Sequence, residues 1–457
     1  MAVAAQLPSA AAAIPAFPDP LTGPSGLGDR YYPADGNGGY RVNHYDVGID
    51  YDPPSHQLTG TARIDAVSTQ ALHAFSLDFS GPAVQRVTVD NLPAGFVRGG
   101  QHKLTLTPAI PILPGLPFSV TVEYSGVEQD TGGAGWTYSP SGGAFAAGEP
   151  HSAGTWYPVN DTPRNKATFD LRVTIPRQWQ AISNGVQTGD RVDGDKHTVG
   201  WSSRHPTAGY LTTVAIDHLD FLNQRRANGT PLISAFAPGA VRDEALERRL
   251  PEILDFLESL YGPYPFESAG GIYVDTDLRF SLETQTRPIY APWTVLNTVI
   301  HENTHQWWGD SMSVRNWSDV CLNECFASYT ADYLWPERKE GKNVDALYRK
   351  TVSQMRDRPE YWRVPLAAPG AGSEFTSVYS RGPLFLHALR HELGDGVFFS
   401  AVRQFVQSHA YRNASMPEFR AFIQSKTTSD LSGFFAAWLD TATRPADRYL
   451  YPGTLRG

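Results

Sequence analysis

The stretch His301-Glu302-Asn303-Thr304-His305 holds the residue types and spacing best suited to metal chemistry in this chain. On a helix, residues four apart share one face, so both imidazoles reach a single ion. Glu302, next to the first imidazole, reaches a water on that ion without being a ligand. A catalytic zinc takes three protein ligands and keeps a fourth position open. Glu324 is the candidate third ligand, because eighteen residues separate it from His305 and it falls on the next predicted helix. Ser318 is placed to cap that helix, and the 309–317 loop would fold the two helices against each other. The competing reading is a surface helix with two solvated histidines. A Glu at this separation on a second helix weighs against it, so one Zn2+ per chain is expected.

Two kinds of element must position these side chains. Residues 39–223 read as short alternating runs, for example 42–51, 60–67, 104–107, 118–124 and 169–175, with Gly, Pro and Asp between them. Strand-length runs rich in β-branched and aromatic residues predict an all-β saddle or sandwich domain. Beyond residue 223 the period becomes helical. Residues 245–260 carry Leu246, Leu250, Ile253, Leu254 and Leu257 on one face, and Gly262-Pro263 ends the pattern. Further helical windows cover 293–308, 318–334, 382–392, 397–408, 416–425 and 431–439, with a short strand region at 271–280. The expected organisation is a flexible tail over 1–38, a β-rich domain over 39–223 and a mainly α catalytic domain over 224–457. The tail is rich in Ala, Pro and Gly and has no Arg before Arg30, so it lacks the basic start of a secretory signal. It reads either as a plain tail or as the remnant of a processed exported protein. An extracellular protein is the expectation, with a cytoplasmic one as the alternative.

Composition narrows the classes. The 457 residues are 41% apolar and 12% aromatic, enough for packed cores and against disorder. A net charge of -9 argues against a nucleic-acid partner, whose phosphates want a basic face. No apolar run is long enough for a membrane helix. With only Cys321 and Cys325, a four-cysteine metal cage and a disulfide framework are both excluded, and the pair reads as small buried residues.

At this point the sequence resembles the M1 family of zinc aminopeptidases, the gluzincins that include aminopeptidase N and leukotriene A4 hydrolase. The pattern His301 to His305, then eighteen residues, then Glu324 is the family's, and Leu322-Asn323-Glu324 with Phe326-Ala327 matches its second helix. Trp156 to Pro163, Ala181 to Gly185, Tyr261 to Phe266 and Phe434-Phe435 with Trp438-Leu439 also resemble family segments. The resemblance implies a thermolysin-like catalytic domain and three further roles. Glu283, in Phe280-Ser281-Leu282-Glu283-Thr284, stands where the family's exopeptidase motif Gly-Ala-Met-Glu-Asn puts the Glu that binds a free α-amine; its neighbours differ. Glu149 is a second amine anchor, nine residues before Pro158, although Gly154 stands where the family has Arg. Tyr379, in Tyr379-Ser380-Arg381-Gly382, matches the phenol that meets the oxyanion. Glu302 would then serve as general base, and the substrates would be peptides with a free N-terminus. Cys325 replaces the family's usual Gly, and the chain ends where larger members continue with a helical domain, so a more open cleft and a monomer are expected. The alternatives are a thermolysin-like endopeptidase, indifferent to Glu283 and Glu149, and an inactive binding protein on the same fold.

Overall fold

The computed structural model describes residues 21–100, 102–240 and 244–456. The strand-rich part is built on an eight-stranded sheet. Its order is Val186–Asp193, Lys196–Thr207, Ala167–Pro176, Tyr40–Asp52, Gln57–Ser68, Pro117–Val127, Ala83–Val89 and Leu92–Pro93. All pairings are antiparallel except that of Tyr40–Asp52 with Ala167–Pro176, which sets Tyr45 beside Phe169 and Val47 beside Leu171. Burial alternates along the central strands Tyr40–Asp52, Gln57–Ser68, Pro117–Val127 and Ala167–Pro176, as period 2 demands of a sheet with one covered face. In the first strand the alternation slips between Val42 and Tyr45, where the register with its neighbour also shifts. Two smaller sheets cover the large one. One holds Phe75–Asp78, Lys103–Thr107 and Gly95–Gly99; the other holds Gln180–Ser183, Val214–Asp217, Ala144–Ala147 and Gly135–Tyr138. All five sequence-predicted runs fall within strands, so this part is the layered β structure expected.

A second four-stranded sheet leads into the helical part. Asp220–Arg225 pairs antiparallel with Pro231–Phe236, after which Ile272–Tyr273 and Ile289–Tyr290 add in parallel. The principal helices are α1 (Leu250–Tyr261), α2 (Leu296–His305), α3 (Cys321–Tyr329), α4 (Val344–Gln354), α5 (Arg381–Leu393) and α6 (Asp395–Ser408). They pack around one large core that takes in Trp307, Trp308, Trp317, Phe326, Phe405 and Trp438. A separate apolar seam joins Phe145, Ala147, Ile182 and Trp201 to Ile272, Leu282 and Ile289, and so stitches strand-rich and helical parts together.

Three details differ from expectation. The tail does not run free to residue 38. Residues 1–20 lie outside the described residues, but 21–38 are anchored on both sides. Gly23 N–H donates to Ala74 O at 2.9 Å, and Asn37 is fully buried against Asn160 and Asp78. Asp29 accepts from the Trp317 N–H at 2.9 Å, and Tyr31 accepts from the Gly370 N–H at 2.9 Å. Burying these backbone groups requires partners, and both parts of the chain supply them. The predicted 245–260 helix is two pieces, Glu244–Glu247 and α1, broken before Pro251, whose nitrogen has no proton to donate. Ser318 does not cap α3. It sits in the 3-10 turn Trp317–Asp319, and α3 begins after Val320 with no side-chain cap.

Candidate metal and substrate centre

Helix α2 carries His301, Glu302 and His305, and α3 packs against it with Glu324 in its first turn. The two Nε2 atoms lie 3.1 Å apart, and Glu324 Oε2 is 3.2 Å from His301 Nε2 and 3.4 Å from His305 Nε2. A tetrahedral zinc with bonds of roughly 2.0 Å sets its ligand atoms about 3.3 Å apart, so this spacing suits that ion. The tautomer suits it as well. His305 Nδ1 lies 2.9 Å from Trp308 O. A carbonyl only accepts, so Nδ1 carries the proton and leaves the Nε2 lone pair free for a metal. Burial alone would push the Glu324 carboxyl up, but the imidazoles of His305 and His301 pull it down to about 2.

These groups open onto a cavity of about 840 Å3. All seven residues singled out in the sequence line it: Glu149, Glu283, His301, Glu302, His305, Glu324 and Tyr379. Glu283 follows Leu282, which exchanges two backbone hydrogen bonds with Ile289 at 2.9 and 2.8 Å. Glu149 follows the strand Ala144–Ala147, whose Ala147 shares the apolar seam with Leu282. The seam thus delivers both carboxylates to one place. Gly148 makes the approach possible: a Cβ there would come within 3.0–3.1 Å of Ser152 and Ala134. Carboxylate oxygens of Glu149, Glu283 and Glu324 lie within 4.8 Å of one another. Burial, with the Glu283 charge adding to it, pushes the Glu149 carboxyl well above its ordinary range. Burial does the same to Glu302, opposed by His305 and reinforced by Glu283 and Glu324. Tyr379 is 45% exposed, with its ring 6.1 Å from the His301 ring. It precedes α5, which approaches α3 so closely that a Cβ on Gly382 would meet Cys325 Sγ at 2.5 Å.

Two domain models of known families match the chain. The Peptidase M1 N-terminal domain matches residues 41–211, and the Peptidase family M1 domain matches residues 267–438. The chain belongs to peptidase family M1. Among curated relatives, this M1 chain is 26% identical over 423 residues to human endoplasmic reticulum aminopeptidase 1, covering 81% of the chain and 44% of the relative. It is 26% identical over 325 residues to aminopeptidase N of Haemonchus contortus, covering 65% and 33%. The M1 chain spans less than half the length of these relatives. Among solved structures, the M1 zinc metallopeptidase from Deinococcus radiodurans superposes with a TM-score of 0.83 at 26% identity, covering 92% of this chain and 98% of that one. A mutant of that enzyme bound to a Tyr-Ser-Ala substrate gives 0.83 at 25% identity, covering 92% and 99%. The β-rich N-terminal part followed by a helical catalytic part is the M1 fold, and zinc is the cofactor that goes with it.

Other residues of this M1 site carried no signal that sequence reasoning used. Gln306 bridges α2 to the Glu283 loop: its Nε2 donates to Glu283 O at 3.0 Å, and its Oε1 accepts from Thr286 N–H at 2.8 Å. Tyr210 sets its hydroxyl 3.4 Å from Glu283 Oε1. Asp310 is fully buried, and neither of its carboxylate oxygens has a protein hydrogen-bond partner. The Ala181 to Gly185 segment, which the sequence did single out, leaves the strand Gln180–Ser183 and holds the same loop, since Asn184 Nδ2 donates to Gln285 O at 2.6 Å and Gly185 N–H to Thr286 Oγ1 at 2.7 Å. Cys321 and Cys325 are buried as expected, but they are bonded to each other rather than separate. Among the described residues no helix is long and apolar enough to cross a membrane.

Proposed function

We propose that this chain is a zinc-dependent aminopeptidase that hydrolyses the first peptide bond of peptides with a free N-terminus. One observation carries the reading. Glu149 and Glu283 bring buried carboxylate oxygens within 4.8 Å of each other and of Glu324, inside the cavity that also holds His301, Glu302 and His305. Two carboxylates in so confined a place repel unless a cation lies between them. A substrate α-ammonium is such a cation, and an endopeptidase would have no use for the pair.

His301, His305 and Glu324 would hold the zinc. When bound, it would act as a Lewis acid on the scissile carbonyl and make water a nucleophile near neutral pH. Glu302 takes a proton from the attacking water and delivers it to the leaving amine. Burial raises its carboxyl, which makes it a stronger base toward that water than an ordinary exposed carboxylate. Glu283 and Glu149 fix the ammonium, so the bond one residue in is the one brought to Glu302. Tyr379 offers its hydroxyl to the developing oxyanion. Phe280 and Trp293 give the cavity an aromatic wall.

The reading includes the division of the chain into 39–223 and 224–457, and a monomer. It also places the protein outside the cytoplasm, which the Cys321–Cys325 disulfide supports, since such bonds persist in oxidising compartments. The deciding experiment assays one peptide with its N-terminus free and then acetylated, with and without a zinc chelator. Cleavage of the free form alone, abolished by chelation and restored by zinc, is the expected result. Equal cleavage of both forms would make the protein an endopeptidase, and no cleavage with zinc bound would make it a binding protein.

A further inference from the structure

A second cluster, outside the cavity described above, repeats the donor set of the first. His387 and His391 stand four residues apart on α5, and Asp345 faces them from the first turn of α4. Asp345 Oδ1 lies 3.1 Å from His387 Nε2 and 3.1 Å from His391 Nε2. The two imidazole centroids are 4.7 Å apart, against 4.8 Å for His301 and His305. All three donor atoms lie within 4.8 Å of one another.

The surroundings hold these rings for a metal. His387 is fully buried between Tyr333 and Tyr348, each with its ring 5.1 Å away. The far nitrogens also have partners, His387 Nδ1 with Tyr329 OH at 3.3 Å and His391 Nδ1 with Thr454 Oγ1 at 2.8 Å. A hydroxyl donates or accepts, so both partners can turn to receive an Nδ1–H and free the two Nε2 lone pairs. The nearby Arg390 is already neutralised by Glu337 and Asp395, each at 2.7 Å. Access is from the side of Asp345 and His391, whose side chains are 34% and 13% exposed.

We propose that Asp345, His387 and His391 form a second metal site, for a borderline divalent ion such as zinc. Two imidazoles and one carboxylate suit zinc, cobalt or nickel and not calcium or magnesium, which prefer all-oxygen shells. The ion would brace α4 against α5 and, through Thr454, the C-terminal turn Gly453–Leu455.

The test counts metal. The full chain, saturated with Zn2+ and freed of excess by gel filtration, should hold two zinc ions by mass spectrometry of the metal. Asp345→Asn and His391→Ala should each hold one fewer while keeping the parent's peptidase activity. His301→Ala should lose an ion but keep the one at Asp345. A wild type that binds no more zinc than Asp345→Asn or His391→Ala would reduce the cluster to a hydrogen-bonded one and overturn the proposal. Should those variants misfold, the wild type preloaded with one zinc is titrated with Co2+. Uptake of one further ion with visible d–d absorption supports the site, and no uptake overturns it. The difference between parent and variants is read independently of whether His301, His305 and Glu324 hold zinc.

Discussion

Glu149 and Glu283 reach the same cavity from opposite sides of one apolar seam, and their carboxylate oxygens end within 4.8 Å of each other. Each follows a residue packed in that seam, Ala147 for Glu149 and Leu282 for Glu283. If Glu283 and Glu149 bind the substrate ammonium as proposed, replacing Glu283 with Ala removes half of that cradle. A charged hydrogen-bonded contact contributes about 1.5–3 kcal/mol, so kcat/KM on free-amine peptides should fall roughly 10- to 150-fold. Glu149→Gln should fall in the same direction. Steady-state kinetics on aminoacyl substrates, with zinc content measured alongside, checks this; unchanged kinetics would remove both residues from the cradle.

Glu302 is 6% exposed and shares a helix with both histidines without needing to ligate. Glu302→Gln keeps the size and loses the ionisable carboxyl that the proposed mechanism uses as base. Turnover should drop by about 10² to 10⁴, the usual worth of general acid–base catalysis, with metal content unchanged. A variant with near-parental kcat would refute the assignment.

Tyr379 stands beside His301 at the cavity mouth, while its neighbour Arg381 is fully buried. Arg381 Nη1 donates to Trp362 O at 2.8 Å, which locks the start of α5. Tyr379→Phe leaves that lock intact and deletes only the hydroxyl. If the hydroxyl meets the oxyanion, kcat should fall about 10²-fold or more with KM little changed. A rise in KM at constant kcat would assign Tyr379 to ground-state binding instead.

Away from the site, Glu128 governs part of the pH dependence of stability. Its residue is 3% exposed, Oε1 accepts from the Gln129 N–H at 3.0 Å, and Oε2 has no protein partner. Burial pushes the carboxyl up to about 7, against the pull of that N–H and of Arg98. The folded state therefore holds a proton that the unfolded chain gives up near its ordinary value. This stability is fully present below about pH 4.5 and is lost as pH rises through about 7. Glu128→Gln removes this dependence and should be the more stable of the two at pH 8, by about 1–3 kcal/mol. Thermal melts of parent and variant at pH 5 and pH 8 test this, and parallel slopes would exclude it.

Local geometry explains what the sequence alone determined. The spacing of His301 and His305 is a property of any α-helix, and the alternation over 42–51 and 169–175 is a property of any half-covered strand, so both are legible without tertiary contacts. Glu324 came from its separation from His305 and its place on the next predicted helix, whereas Glu283, Glu149 and Tyr379 came from a likeness in motif; neither route showed proximity. Tertiary structure decided that all four share one cavity with the histidines. It also decided that Gln306 ties α2 to the Glu283 loop, that Trp308 O sets the His305 tautomer, and that residues 21–38 are held between the two parts. None of these has a sequence period, because each joins residues whose separation along the chain is arbitrary. Packing of the seam and the helical core selects them, and packing is a property of the whole chain.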